Sequence, residues 1–255
     1  MTLLAGKKGL IVGIANRDSI AWACARAMHA AGAEIGATWQ NDKARVHVEP
    51  LLDEIGAELR MPLDVGDDEQ MRALFDAAAV RWGRLDFVLH AVAYAPRKDL
   101  QGRVVDSSRE GFALAMDISC HSFIRMAHLA EPLMAASGGS LMTLSYLGAS
   151  EVMPHYGIMG PVKAALESTT RYLAAELGPS RIRVNAVSPG PIATRAASGI
   201  AAFDELVADS VRRSPIAGEL QPDDVGPLCA FLASDGARAI TGCTLYVDGG
   251  HHILN

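Results

Sequence analysis

Apolar positions along this chain follow two alternating rhythms. Short apolar runs occur at 9–14 (GLIVGI), 33–39 (AEIGATW), 57–65 (AELRMPLDV) and 85–94 (LDFVLHAVAY). Between them lie longer segments, 19–32, 46–56 and 68–83, in which apolar residues recur at helical spacing. Such alternation predicts βαβ units, a parallel sheet with helices on both faces. The second half continues it with strand patterns at 139–146 (GSLMTLSY), 181–190 (RIRVNAVSPG) and 243–250 (CTLYVDGG), and with helices at about 159–177 and 222–234. Gly32, Gly83 and Gly178 each follow a helical run, where a left-handed C-cap favours glycine.

No linker, repeat or low-complexity stretch interrupts the pattern. It therefore predicts an α/β fold, a single Rossmann-type doubly wound domain over 1–255 that binds ligands at the carboxyl ends of its strands. The segment at about 191–218 is too long for a tight crossover and is expected to form a substrate-binding lid.

Composition narrows the function classes. Half of the residues are hydrophobic and 20% are charged, the balance of a globular domain, and a net charge of −6 argues against nucleic acid as a partner. Cys24, Cys120, Cys229 and Cys243 are widely spaced and the histidines lack ligand partners at metal spacing, so no metal is expected. The N-terminus puts apolar residues ahead of its lysines, and no apolar run approaches the roughly 18 residues of a membrane span. A soluble, cytoplasmic protein is the expectation.

The first strand runs into GIANRDSIA, where a dinucleotide site needs a turn whose backbone N–H groups can approach a pyrophosphate. Only Gly13 is present; Arg17 and Ser19 stand where further glycines are usual. Gln40 ends the second strand, neither the acid usual for NAD nor the base usual for NADP. Asp64 and Val65 close the third strand, where the aspartate suits an adenine edge or a plain turn. Small residues in HAVAYAP, 90–96, suit a flat ligand pressed on backbone.

The chain has 18 Arg and 5 Lys, and its last lysine, Lys163, stands seven residues after Tyr156 in HYGIMGPVKAAL. Pro161 marks the first turn of a helix, which puts Tyr156 at its entrance and Lys163 deeper on the same face. Ketone-reducing short-chain dehydrogenases carry Tyr, Ser and Asn where this chain has Met159, Tyr146 and Asp117. A carbonyl-reducing site is absent, and Tyr146, Tyr156 and Lys163 are the reactive side chains left.

Together, GIANRDSIA, TWQNDK, LDV, HAVAYAP, MDIS, LSYLGA, Tyr-x6-Lys, RVNAVSPGPI, AASGI and VDGG are similar to enoyl-acyl-carrier-protein reductases of bacterial fatty-acid synthesis, a divergent branch of the short-chain dehydrogenases. The resemblance covers essentially the whole chain. It implies hydride transfer from NADH to the β-carbon of a trans-2-enoyl thioester. Tyr156 would stabilise the enolate, Lys163 would bond the nicotinamide ribose, and Tyr146 would line the site as a third catalytic residue. Gly13, Ser19, Ile20, Gln40, Asp64, Val65, Val92 and the segment Ile192, Ala193, Thr194, Arg195, Ala196 would contact the cofactor. Ala95, Met159, Ile200 and Phe203 would face the acyl chain.

The resemblance also implies an acyl carrier protein as partner and a homo-oligomer, expected as a tetramer. Carrier proteins are acidic, so a local basic patch is required, and Arg195, Arg212 and Arg213 are the candidates. Ala91 and Ala93 replace Ser and Gly of many members, the latter narrowing the nicotinamide floor by a methyl. Two rival readings are a ketone or alcohol dehydrogenase of the same superfamily and a non-catalytic, nucleotide-sensing relative.

Overall fold

β1 (Lys8–Val12) lies inside a seven-stranded, all-parallel sheet. The computed structural model describes residues 2–195 and 197–254. On one side of β1 come β2 (Glu34–Trp39) and β3 (Leu59–Pro62). On the other come β4 (Phe87–His90), β5 (Gly139–Leu144), β6 (Ile182–Pro189) and β7 (Thr244–Val247). The order β3-β2-β1-β4-β5-β6-β7 reverses direction between β1 and β4, whose ends meet with Val12 in register with His90. A reversal of this kind opens a crevice beyond the strand ends.

Helices cover both faces. Buried side chains of α1 (Ile20–Ala30), α2 (Asp42–Glu54) and α9 (Pro222–Ala233) pack with Ile11, Leu89 and Met142. On the opposite face α3 (Asp68–Trp82), α6 (Ser122–Met134) and α7 (Met159–Leu177) share a core with Leu10, Val12 and Val88. Successive strand residues thus enter different cores, which is why the strands read as unbroken apolar runs instead of alternating with polar residues.

The predicted strands all exist, with shorter bounds. β4 ends at His90 because the chain then leaves the ladder to line the crevice, and the run to Tyr94 is irregular. α2 starts earlier than its apolar pattern, since Asn41 caps it by accepting from the Ala44 N–H at 3.2 Å. Gly83 takes the left-handed C-cap expected of it and Gly32 a positive φ, but Gly178 stays right-handed and Arg181 turns the chain at φ 57°.

Three helices fall where no helical pattern was read, α4 (Arg97–Gln101), α5 (Arg109–Met116) and α6 between β4 and β5. α8 (Phe203–Arg213) forms within the long segment after β6, whose pattern is only partly helical. A π-turn, Asp117–His121, joins α5 to α6.

Candidate active site

A cleft of about 540 Å3 opens at the carboxyl ends of β1, β4, β5 and β6. Gly13, Ser19, Ile20 and Val92 line it at the β1–β4 side, with Ile192, Thr194 and Arg195 across from them in sequence after β6. Tyr146, Tyr156 and Lys163 line it too, as do Ala95, Met159, Ile200 and Phe203.

Gln40, Asp64, Val65 and Ala193 are not among its lining residues. Gln40 is exposed just beyond β2. Asp64 makes a turn, its Oδ1 accepting from the Gly66 N–H at 2.9 Å, so that carboxylate oxygen is engaged within the chain. Val65 is buried in the core under α3. Ala193 lines a separate shallow groove beside α8, and Ala196 lies outside the described residues.

The turn after β1 requires glycine at position 13. Its φ is 108°, and a Cβ there would meet the Ala91 carbonyl oxygen at 2.2 Å. Ser19 caps α1, donating to the Asn16 carbonyl at 2.7 Å and accepting from the Trp22 N–H, so the positive helix end and its Ile20 face the cleft. Arg17, in place of a glycine, is held outside by an ion pair with Glu54.

Tyr156 lies ahead of α7, not within it. It sits between two left-handed residues, His155 at φ 60° and Gly157 at φ 47°, and this tight turn presents the phenol to the cleft. Pro161 falls in the first turn of α7 as expected. Gly148 makes room for the ring: a Cβ there would come within 2.6 Å of the Tyr156 ring and 3.3 Å of that of Tyr146. Burial, followed by the nearby Tyr146, pushes the Tyr156 phenol far above its ordinary range, and burial pushes Tyr146 up to about 12. Both phenols keep their protons at neutral pH.

Lys163 is only 5% exposed, one of the few buried charges, and its Nζ donates to the Leu144 carbonyl at 2.6 Å. Burial lowers its pKa to about 8, against the opposing pull of Cys120 and Glu167. It remains a cation at pH 7.

Several supporting residues carried no sequence signal. His90 at the end of β4 is fully buried, its ring nitrogens 2.9 Å from Thr143 Oγ1 and 2.8 Å from Ser122 Oγ. Burial first, and the Lys163 charge second, push its pKa down to about 3, so it is a neutral tie between β4, β5 and α6. Ser119 in the π-turn accepts from the Tyr94 N–H at 2.9 Å and donates to the Tyr94 carbonyl at 3.0 Å, holding the cleft wall. Ser145 lines the cleft and donates to Glu167, one helical turn beyond Lys163. Asp117 pairs at 3.4 Å with Arg125 and His121 and does not line the cleft.

Residues 13–252 match the family model described as enoyl-(acyl carrier protein) reductase. The chain belongs to that family. It is 46% identical over 252 residues to enoyl-(acyl-carrier-protein) reductase (NADH) 1 of Rhizobium meliloti, covering 99% of this chain and 92% of that protein. It also resembles the solved enoyl reductase of Anaplasma phagocytophilum in complex with NAD, with a TM-score of 0.94 and 46% identity over 98% of this chain and 95% of that one. The Bacillus cereus enzyme, solved with NADP+ and an indole naphthyridinone, gives a TM-score of 0.97 and 40% identity with full coverage of both chains. Family membership thus extends over the same length as the sequence motifs, and it includes a relative solved with each of the two nicotinamide cofactors.

Proposed function

We propose that this protein reduces the trans-2 double bond of enoyl thioesters carried on acyl carrier protein, with NADH as hydride donor. One observation carries the reading: a buried, protonated Tyr156 and a buried, cationic Lys163 line one cleft with Met159 at the position four before the lysine. Gly13, the N-terminus of α1 and Lys163 would hold the cofactor, since all three line the cleft. NADH bound there supplies the hydride.

Reduction at the β-carbon builds negative charge on the thioester oxygen. Tyr156 donates a hydrogen bond to that oxygen, and a donor fixed in a dry pocket stabilises developing charge more than it stabilises the neutral substrate. Lys163 supplies positive charge near the enolate and a bond to the nicotinamide ribose. Met159 and the apolar wall of Ile200 and Phe203 accept the acyl chain, under a lid of about 191–218 that Gln101 supports by donating from Nε2 to the Gly199 carbonyl at 2.8 Å.

Ketone reduction is disfavoured because Met159 and Asp117 cannot supply that chemistry. A sensing role without turnover leaves the pairing of Tyr156 with Lys163 unexplained. NADH absorbance followed with a crotonyl thioester and an acetoacetyl thioester separates the three: consumption with crotonyl alone supports the reading, acetoacetyl alone gives the ketone reductase, and neither gives the sensor. A homotetramer and a cytoplasmic location belong to the same proposal and are supported by family membership. Among the described residues no helix is long and apolar enough to cross a membrane.

A further inference from the structure

The mouth of the cleft has two rims of unlike charge. One is the start of α8, next to the cleft residue Phe203, where Asp204 and Glu205 are exposed in the first turn. Asp209 follows on the same helix and engages both Arg212 and Arg213, the latter at 3.3 Å, and Arg213 also donates to the Leu254 carbonyl at 2.9 Å. Of the three arginines expected to attract an acidic carrier, Arg195 lines the cleft itself, and Arg212 and Arg213 stand on a helix that carries three acids to their two charges.

The other rim is α4, the loop after it and the first turn of α5. Arg97, Lys98, Arg103 and Arg109 are all exposed there, beside Val104 and Val105, which are 49% and 75% exposed. The exposed acids of the stretch are Asp106, 3.4 Å from Arg103, and Glu110. Its third acid, Asp99, is buried, accepting from the Ser108 N–H at 2.6 Å and from the Ser108 hydroxyl at 3.0 Å. Four exposed cations thus outnumber two exposed acids, on a chain whose net charge is −6.

This rim is fixed to the reactive centre. The Asp99–Ser108 bonds tie the loop to α4, and Gly157 packs so closely on α4 that a Cβ would lie 2.3 Å from the Leu100 carbonyl oxygen. Arg97 and Leu100 extend from the same short helix into the cleft. A partner seated here presents its thioester arm directly to the opening next to Tyr156.

We propose that the α4 rim, with Lys98 and Arg103 as its charges and Val104 and Val105 as its apolar contact, is the seat of an acidic acyl carrier protein. The inference rests on the enoyl reductase reading. Complementary charge at a rim steers encounter and weakens with salt, while the acidic entrance of α8 repels the same partner and sets its orientation. Neither Lys98 nor Arg103 lines the cleft, so the chemistry does not depend on them.

The test compares crotonyl-carrier protein with crotonyl-pantetheine, a neutral thioester that needs no docking. Lys98→Glu with Arg103→Glu is expected to raise KM for the carrier-bound substrate about tenfold, more at low salt than at high, and to leave kcat/KM for the pantetheine thioester as in the parent. Arg212→Glu with Arg213→Glu should move KM far less. An unchanged carrier KM in the Lys98 and Arg103 variant, with normal turnover of the pantetheine thioester, overturns the docking seat and leaves the enoyl reductase reading intact. An equal loss on both substrates also overturns it, placing the effect in the site. A parent enzyme that reduces neither thioester brings down the enoyl reductase reading and the seat with it.

Discussion

The ring of Tyr146 meets that of Tyr156 edge-on, centroids 4.9 Å apart and planes inclined at 62°. Both rings lie against Gly148, where an added Cβ would meet each of them. Contact of this geometry fixes ring orientation as well as adding a modest stabilisation. Tyr146 thereby sets the direction in which the Tyr156 hydroxyl points.

The two tyrosines should separate in kinetics. Tyr156→Phe removes only the donor to the enolate, so kcat is expected to fall about a hundredfold or more, the scale of losing one oxyanion donor, with NADH affinity nearly unchanged. Tyr146→Phe keeps the ring contact and should cost less than about tenfold. Steady-state rates with a crotonyl thioester, set against NADH fluorescence titrations, check both. A Tyr156→Phe enzyme with parental kcat would remove the proposed electrostatic role.

Cofactor choice follows from what faces the end of β2. Gln40 carries no charge for a 2′-phosphate, and Arg45 is held by Glu49 at 2.8 Å while its guanidinium lies 5.9 Å from the centre of the Trp39 ring. Among the described residues next to that strand end, Lys43 is a cation without such a hold. NADH is expected to be preferred in kcat/KM, and Glu49→Ala, which releases Arg45, should narrow the preference. Equal efficiency with NADPH in the parent enzyme would refute this account.

The sheet was legible because two-sided burial writes strands as plain apolar runs, and all seven were found. The region between β4 and β5 was not, because α4 is a single short turn and α5 is joined to α6 through a π-turn that shifts the helical period. Tyr156 and Lys163 were visible through their spacing and Pro161. His90, Ser119 and Glu167 were not, since a lone polar residue at a strand end or in a helix carries no mark of the partner that the fold brings to it. Asp64 makes a turn through the Gly66 N–H, one of the two roles that the sequence allowed for it.

Ala93 sets a steric test. It lines the cleft beside Ala91 and Val92, where a flat ligand would press on the chain. An added methyl in a tight floor costs about 1 to 3 kcal/mol when a ligand needs the space. Flat aromatic inhibitors that stack over the nicotinamide should therefore bind Ala93→Gly more tightly than the parent by about that amount, with NADH affinity little changed. Inhibition constants that match in the two enzymes would dispose of the steric argument.

Lys163 offers a prediction with a defined direction in pH. Its pKa near 8 lies below the ordinary lysine value because burial penalises the cation, so between about pH 8 and 10.5 the unfolded chain binds the proton that the folded one has released. This residue's contribution to stability accordingly rises with pH across that window. Cofactor binding should run the opposite way. The cation is the form proposed to bond the ribose, and it is lost as pH climbs through 8, so NADH affinity is expected to be flat from pH 6 to 7 and to weaken above 8. Lys163→Ala should weaken NADH binding by roughly 1.5 to 3 kcal/mol at pH 7, the scale of a hydrogen bond to a charged group, and should abolish the pH dependence. Fluorescence titration of NADH against both proteins from pH 6 to 10 measures it. A parent whose affinity ignores pH, or a variant that binds as tightly as the parent, would leave the buried lysine without the cofactor role assigned to it.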